Sequence, residues 1–392
     1  MGVALVAGLA DARHALTLAP GNLRVIELVA RLHLDCDQPE AAIAVLAGLP
    51  ESRQNATVSF LLVEAYSSLD AFDLAAQHAR KLATDHVASQ PLMRRIGAVL
   101  LRAGQADLAR DLYHQNLAIR RQGLPLRLAG GVAERMRGAA AALPLQQLDW
   151  LWQVLTTRNR APADRESWVH EVTAVAAIDR LILDWMECRP DAGEDLAAMI
   201  TGIGPAQAMV ADALRDGKGA FIAAAHVGLL FGGLAALALG GLPMTFVASV
   251  PRLGHLALDA DLVSTSTMEQ GAIGRALHRA VRAGKVVAVA IDGAPAKGCT
   301  TYPLFDRRIA LSDFIPRLAW KSGAASFFPS VIWDGQHARL TLSPLPSPGG
   351  FPTVGAFVTD WMRAYLDQLE NLLLDHPGSA RASGGFWGNI AL

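Results

Sequence analysis

Cysteine is scarce in this chain, with three in 392 residues: Cys36, Cys188 and Cys299. They are scattered, odd in number and without C-x-x-C spacing. That excludes a disulfide framework and a structural zinc site, and points to the reduced thiols of a cytoplasmic protein. Aromatic residues make up only 6%, so the core must be mostly aliphatic. An excess of charge of either sign is also missing: 35 Lys and Arg stand against 36 Asp and Glu. This balance removes the basic footprint of a nucleic-acid binder, although a local basic patch against a membrane surface stays open. Neither G-x-x-x-x-G-K-[ST] nor a strand-bound G-x-G-x-x-G occurs, so a nucleotide phosphate loop is not supported. Ser249, Ser264 and Ser266 lack a nucleophile elbow, and the eleven histidines suggest no metal-ligand cluster. The opening "MGVALVAGLADARHALTLAPGN" has no basic n-region and soon meets Asp11, which makes a poor signal peptide.

What the chain does have is apolar content, 52% hydrophobic against 18% charged. At this length it can bury a large core and form two domains. From Gly219 to Pro251 there is no charged residue at all. The run is long enough to span a bilayer, yet it holds six glycines, Pro243 and His226. A buried strand, "GAFIAAAH", followed by a buried helix, "LLFGGLAALALGG", gives the same hydropathy and is the preferred reading. The lone imidazole then has three explanations: a core histidine, a proton acceptor, or a polar break in a membrane helix.

The first third of the chain repeats. "LDCDQPEAAIAVL" (34–46), "SLDAFDLAAQHAR" (68–80) and "RAGQADLARDLYH" (102–114) align at a step of 34, with Ala41, Ala75 and Ala109 in register and Cys36, Asp70 and Gly104 likewise. A small residue at that period lets a second helix pack closely on a first, and resembles the tetratricopeptide repeat. The first unit reads as lacking its first helix. Residues 1–122 are therefore expected to form an α-solenoid, either a surface for a protein partner or a rigid appendage. Pro125 and paired glycines break the pattern, and a linker is placed over 123–144.

From 145 the chain reads as helices and then as an α/β region. Strands are expected at 221–226, 244–249, 285–292 and 326–333, and helices at 229–239, 268–283, 312–322 and 354–375. Apolar runs without alternation indicate strands covered on both faces, hence an α/β sandwich with a mainly parallel sheet over 145–392. Two of these strands end in titratable residues, "AAAHVG" in His226 and "VAVAIDGAPAKG" in Asp292. Ligands of open α/β sheets gather beyond the carboxyl ends of strands, so His226 is a candidate general base. The plainer alternatives are a buried core histidine and an Asp-Gly turn.

The order of these pieces resembles a known family. "ALRDGKGAFIAAAHVGLLFGG" is similar to the "GxGxIxxxxHxGNWE" block of the lipid A biosynthesis (lauroyl/myristoyl-type) acyltransferases, within the lysophospholipid acyltransferase group. The stretch from "MEQGAIGRALHRAVRAGKVVAVAIDGAPAKG" to "FFPSVIW" follows that family's order of helix, strand, Asp and glycine. The resemblance implies acyl transfer from acyl carrier protein or coenzyme A to a hydroxyl or amine, with no bound cofactor. It implies a catalytic pair, His226 as the general base and Asp292 as the acid at the rim of the site. Gly228 and Gly293 would offer oxyanion donors; Arg252, Lys297, Arg307 and Arg308 would face phosphate or head groups; Leu229, Leu230 and Phe231 would wall an acyl tunnel. The family's acid five residues after the histidine is missing, because that position is Phe231. Three readings follow: orientation of His226 by a distant acid such as Asp292, orientation by a backbone carbonyl, or a domain that only binds lipid or carrier protein. The expected location is the cytoplasm, or its face of the inner membrane.

Overall fold

A computed structural model describes the chain except residues 1, 51–54, 86–89, 139–144, 190–192, 250–259, 294–298, 382–384, 386, 388–389 and 391–392. The described residues form two compact units, one built from residues up to Gln122 and one from Gly123 onward.

The first unit is helical throughout: α1 (Gly2–Leu18), α2 (Leu23–Asp35), α3 (Pro39–Ala47), α4 (Ala56–Ser68), α5 (Phe72–Asp85), α6 (Gln90–Arg102) and α7 (Ala106–Gln122). Three three-residue turns join α2 to α3, α4 to α5 and α6 to α7. Each turn centres on a residue with positive φ: Asp37 at 57°, Asp70 at 56° and Gly104 at 72°. The following amide reaches back five residues to close the turn, Gln38 to the His33 carbonyl, Ala71 to Tyr66 and Gln105 to Leu100. This is the Schellman way of ending a helix, and Asp tolerates the left-handed conformation better than most residues. One turn into each second helix lies a buried alanine: Ala42, Ala75 and Ala109. The first repeat is thus out of phase by one residue with the alignment read from the sequence. Asp37 replaces Cys36, and Ala42 replaces the half-buried Ala41, because the turn geometry and not the linear step sets the phase. The first repeat also has its first helix, α2.

The second unit opens with α8 (Leu128–Gly138), α9 (Leu145–Thr157), α10 (Arg165–Cys188) and α11 (Gly193–Ala197). The expected linker therefore contains a packed helix. Leu128 and Val132 of α8 are buried in a cluster with Val175, Ile178 and Leu181 of α10. The α/β part then runs β1 (Ile200–Thr201), α12 (Ile203–Leu214), β2 (Ala220–Ala224), α13 (Leu230–Leu239), β3 (Met244–Ala248), β4 (Asp261–Ser264), α14 (Gln270–Arg282), β5 (Val286–Ala290), β6 (Thr300–Leu304), β7 (Arg307–Leu311), α15 (Phe314–Ser322), β8 (Ala325–Trp333), β9 (Ala338–Pro344) and α16 (Val354–Asp375).

Seven strands make one sheet in the order β1-β9-β8-β2-β5-β3-β4, parallel except for the β8–β9 pair, and β6–β7 form a separate antiparallel hairpin. The uncharged run thus folds as strand, helix and strand; among the described residues no helix is long and apolar enough to cross a membrane. Apolar side chains alternate between the two covered faces. Phe221, Ala223 and Val287 join one cluster with Trp361, Tyr365 and Leu369 of α16. Ile222, Val286 and Ala288 join the other with Leu229, Ala235 and Leu237 around α13. Burial on both faces explains the absence of polar alternation in β2 and β5.

Candidate functional site

The sheet's connectivity places a switch point, the crevice position of open α/β sheets, at the carboxyl ends of β2 and β5. The chain leaving β2 crosses one face as α13 and reaches β3 on the far side of β5. The chain leaving β5 packs Ile315, Leu318 and Ala319 of α15 on the opposite face before entering β8 on the far side of β2. Adjacent parallel strands whose connections part in opposite directions form a switch point, the usual place for a ligand in such sheets.

Strand register brings two side chains together there. Ala224 of β2 pairs with Ala290 of β5. His226 and Asp292 lie two residues beyond that pair, so the same offset of 66 joins both couples. The His226 ring Nδ1 lies 2.9 Å from Asp292 Oδ1, and the His226 backbone N–H donates to Asp292 Oδ2 at 2.8 Å. Asp292 is fully buried, while the imidazole keeps 26% of its side-chain exposure. The carboxylate therefore accepts both N–H groups of one residue and assigns the proton to Nδ1. Nε2 is left as the acceptor, with no hydrogen-bond partner among the described residues. Such a ring accepts a hydrogen bond, or a proton, from a hydroxyl or amine in the crevice.

Hydrogen bonds tie down the backbone around the pair. Tyr365 of α16 donates its hydroxyl to the Ala224 carbonyl at 3.0 Å. Burial, and secondarily the Asp292 charge, push its phenol well above the usual value near 10, so it remains a donor. Gly228 has φ +56°, and its N–H donates to the Ser379 carbonyl at 2.7 Å. A Cβ there would strike the Val331 carbonyl oxygen, so this turn needs glycine. That N–H is already engaged and is not the open oxyanion donor expected of Gly228.

The other expected residues scatter. Leu229 is a fully buried core side chain. Leu230 is buried at the start of α13. Phe231 lies with its ring beneath the Arg381 guanidinium, 5.1 Å from carbon to centroid. Its backbone N–H donates to Asp179 Oδ1 at 2.8 Å, so this position serves the first turn of α13. Arg307 and Arg308 sit exposed on the β6–β7 hairpin, the first near Asp306 and the second donating to the Thr301 carbonyl at 3.0 Å. Gly293 directly follows Asp292 and is half-buried. Arg252 and Lys297 lie outside the described residues. Among the described residues no three His, Cys, Asp or Glu side chains gather to hold a metal ion.

Sequence reasoning missed the acid–base pair beneath α13. Asp179 of α10 is fully buried, ion-paired with the buried Arg381, and accepts the N–H of Phe231. Burial raises its carboxyl above the ordinary value against the pull of Arg381 and of the Phe231 and Gly232 amides. The one signal was Asp179 itself, a charge within the apolar stretch "VTAVAAIDRLILDW".

No family model matches the chain. It is 27% identical over 380 residues to the Vi polysaccharide export protein VexE of Salmonella typhi. That similarity covers 96% of this chain and 58% of the relative, so the chain spans well under two thirds of the relative's length. The match corrects the expectation of a lipid A-type acyltransferase: a protein similar over nearly the whole chain is named for polysaccharide export, not for acyl transfer or lipid biosynthesis. The reason to expect an acyl thioester donor and an acyl tunnel falls with that reading.

Proposed function

We propose that this chain works in the export of a polysaccharide. The observation that carries the reading is the similarity to the Vi polysaccharide export protein over 96% of the chain, which takes in the helical and the α/β unit alike. In this reading the crevice beyond β2 and β5 receives the glycan, and His226 Nε2 accepts a hydrogen from one of its hydroxyls. Asp292 fixes the ring for that task. The support is chemical: sugars are dense in hydroxyl donors, and the site offers an oriented acceptor at a strand-end crevice. The helix pairs of the first unit are tetratricopeptide-like repeats in this proposal. Three similar turns and three buried alanines favour it, and the array serves as a docking surface for another protein of the export route.

The test is deletion of the gene in cells that carry it, with polysaccharide measured separately at the cell surface and inside. Surface polysaccharide should fall and the internal pool should rise. Return of the intact chain should restore the surface pool, and return of His226→Ala or Asp292→Asn should not. His226→Ala removes the acceptor and Asp292→Asn releases its orientation, so both variants should be impaired. Unchanged surface polysaccharide in the deletion strain would overturn the export reading. Full rescue by both variants would remove the crevice from it.

A further inference from the structure

Beyond α16 the chain approaches the site at a glycine. Gly385 has φ +48°. A Cβ built on it would stand 2.5 Å from Asp292 Oδ2 and from His226 Cγ, and closer still to His226 Nδ1. A side chain at 385 would therefore press on His226 Nδ1 and on Asp292 Oδ2, the oxygen that accepts the His226 backbone N–H, and none fits without moving the imidazole or the carboxylate.

The approach is held on both sides. Before it, the Pro377 carbonyl accepts from Trp168 Nε1 at 2.9 Å, the Ser379 carbonyl accepts from Gly228 N–H, and Arg381 pairs with Asp179. After it, Trp387 packs edge-on against Trp150 at 6.4 Å between centroids, and Ile390 bridges Ile309 of β7. Asp179 also holds the Phe231 amide, so one buried carboxylate ties this segment and the start of α13 together.

We infer that Gly385 is a positioning residue: its lack of a side chain leaves the His226–Asp292 bond undisturbed, and so keeps the proton on Nδ1 while Nε2 faces the crevice. The importance of this for function rests on the proposed role of the pair; its geometry does not. Two features separate this role from simple packing. An added side chain would press on the hydrogen-bonded atoms themselves, and its expected cost is a change of ring state, not only of stability.

Nuclear magnetic resonance of the full chain with ¹⁵N-labelled histidine reads the ring state directly. In the unaltered protein the His226 ring should show a protonated Nδ1, an unprotonated Nε2, and a nuclear Overhauser contact to the Gly385 Hα protons. Gly385→Ala and Gly385→Asn should both lose the Nδ1–H signal, as Asp292→Asn should. Asparagine tolerates positive φ, so the loss in that variant isolates the added Cβ from backbone strain. Gly349, open to its surroundings, supplies the control, and Gly349→Ala should leave the signal in place. A retained Nδ1–H signal in folded Gly385→Asn would overturn the inference. So would the absence of the Overhauser contact in the unaltered protein, a measurement that survives even if both variants fail to fold. Neither result depends on export. Conversely, full export with His226→Ala would refute the proposed role of the pair while leaving the Gly385 geometry standing.

Discussion

A single residue can decide whether the region around the site holds. Asp179 is fully buried, and its partners are a guanidinium and the first-turn amides of α13. Removing one member of such a pair leaves the other as an uncompensated buried charge. Asp179→Ala should destabilise the second unit by about 3–5 kcal/mol, measured by denaturant unfolding. Replacing both partners, Asp179→Leu with Arg381→Met, should cost distinctly less, since no stranded charge remains. Equal losses in the single and double variants would show that packing, not charge, dominates. The sequence offered Asp179 as an acid in an apolar helix but not its partner, because Arg381 lies 202 residues away. For His226 the reverse held. The expected local acid was missing, the distant Asp292 was expected as the acid of the site, and strand register puts it 2.9 Å from the ring.

At the scale of elements, short-range chemistry was well exposed in the chain. The expected strands at 221–226, 244–249, 285–292 and 326–333 coincide within a few residues with β2, β3, β5 and β8. The expected helices at 229–239, 268–283, 312–322 and 354–375 coincide with α13 to α16. Each has an apolar run bounded by Gly, Pro or a capping residue, a signal local to the element. β1, β4, β6, β7 and β9 escaped notice. β1 has only two residues and β4 four, while β6 and β7 carry exposed Thr and Arg, so their pairing comes from neighbours and not from their own apolarity. The helix pairs also contain a proton-sensitive contact. His78 of α5 stacks on Tyr66 of α4 at 5.7 Å. Burial first, and then the Lys81 charge, lower its pKa below the usual 6.5. A histidine held neutral by the fold gives its full stability above about pH 6.5, where neither state is charged. As pH falls from there through the depressed native value, the unfolded ring takes up its proton first and stability is lost. Thermal unfolding of the first unit should therefore occur at lower temperature at pH 5.5 than at pH 7.5. His78→Gln should flatten that dependence, and an unchanged slope in the variant would exclude this ring as its source.

At the scale of the whole molecule, the described residues divide into two compact units, each with its own buried apolar clusters. Stability should then divide the same way. Ala75 of α5 is fully buried at a helix contact, and Ala75→Leu should overpack it at a cost of about 1–3 kcal/mol. Calorimetry should show the first unit's transition shift downward while the second unit's stays in place; a joint shift of both would mean that the units unfold as one. The sequence by itself determined the classes of element, the helical repeats and the buried character of β2 and β5, because propensity, capping and hydrophobic period act over a few residues. Only the tertiary structure decided that Asp292 serves His226, that Asp179 meets Arg381, and that Gly385 lies against the pair. Those contacts depend on strand register and on a segment returning from far along the chain, and no local pattern encodes a distance spanned by the fold.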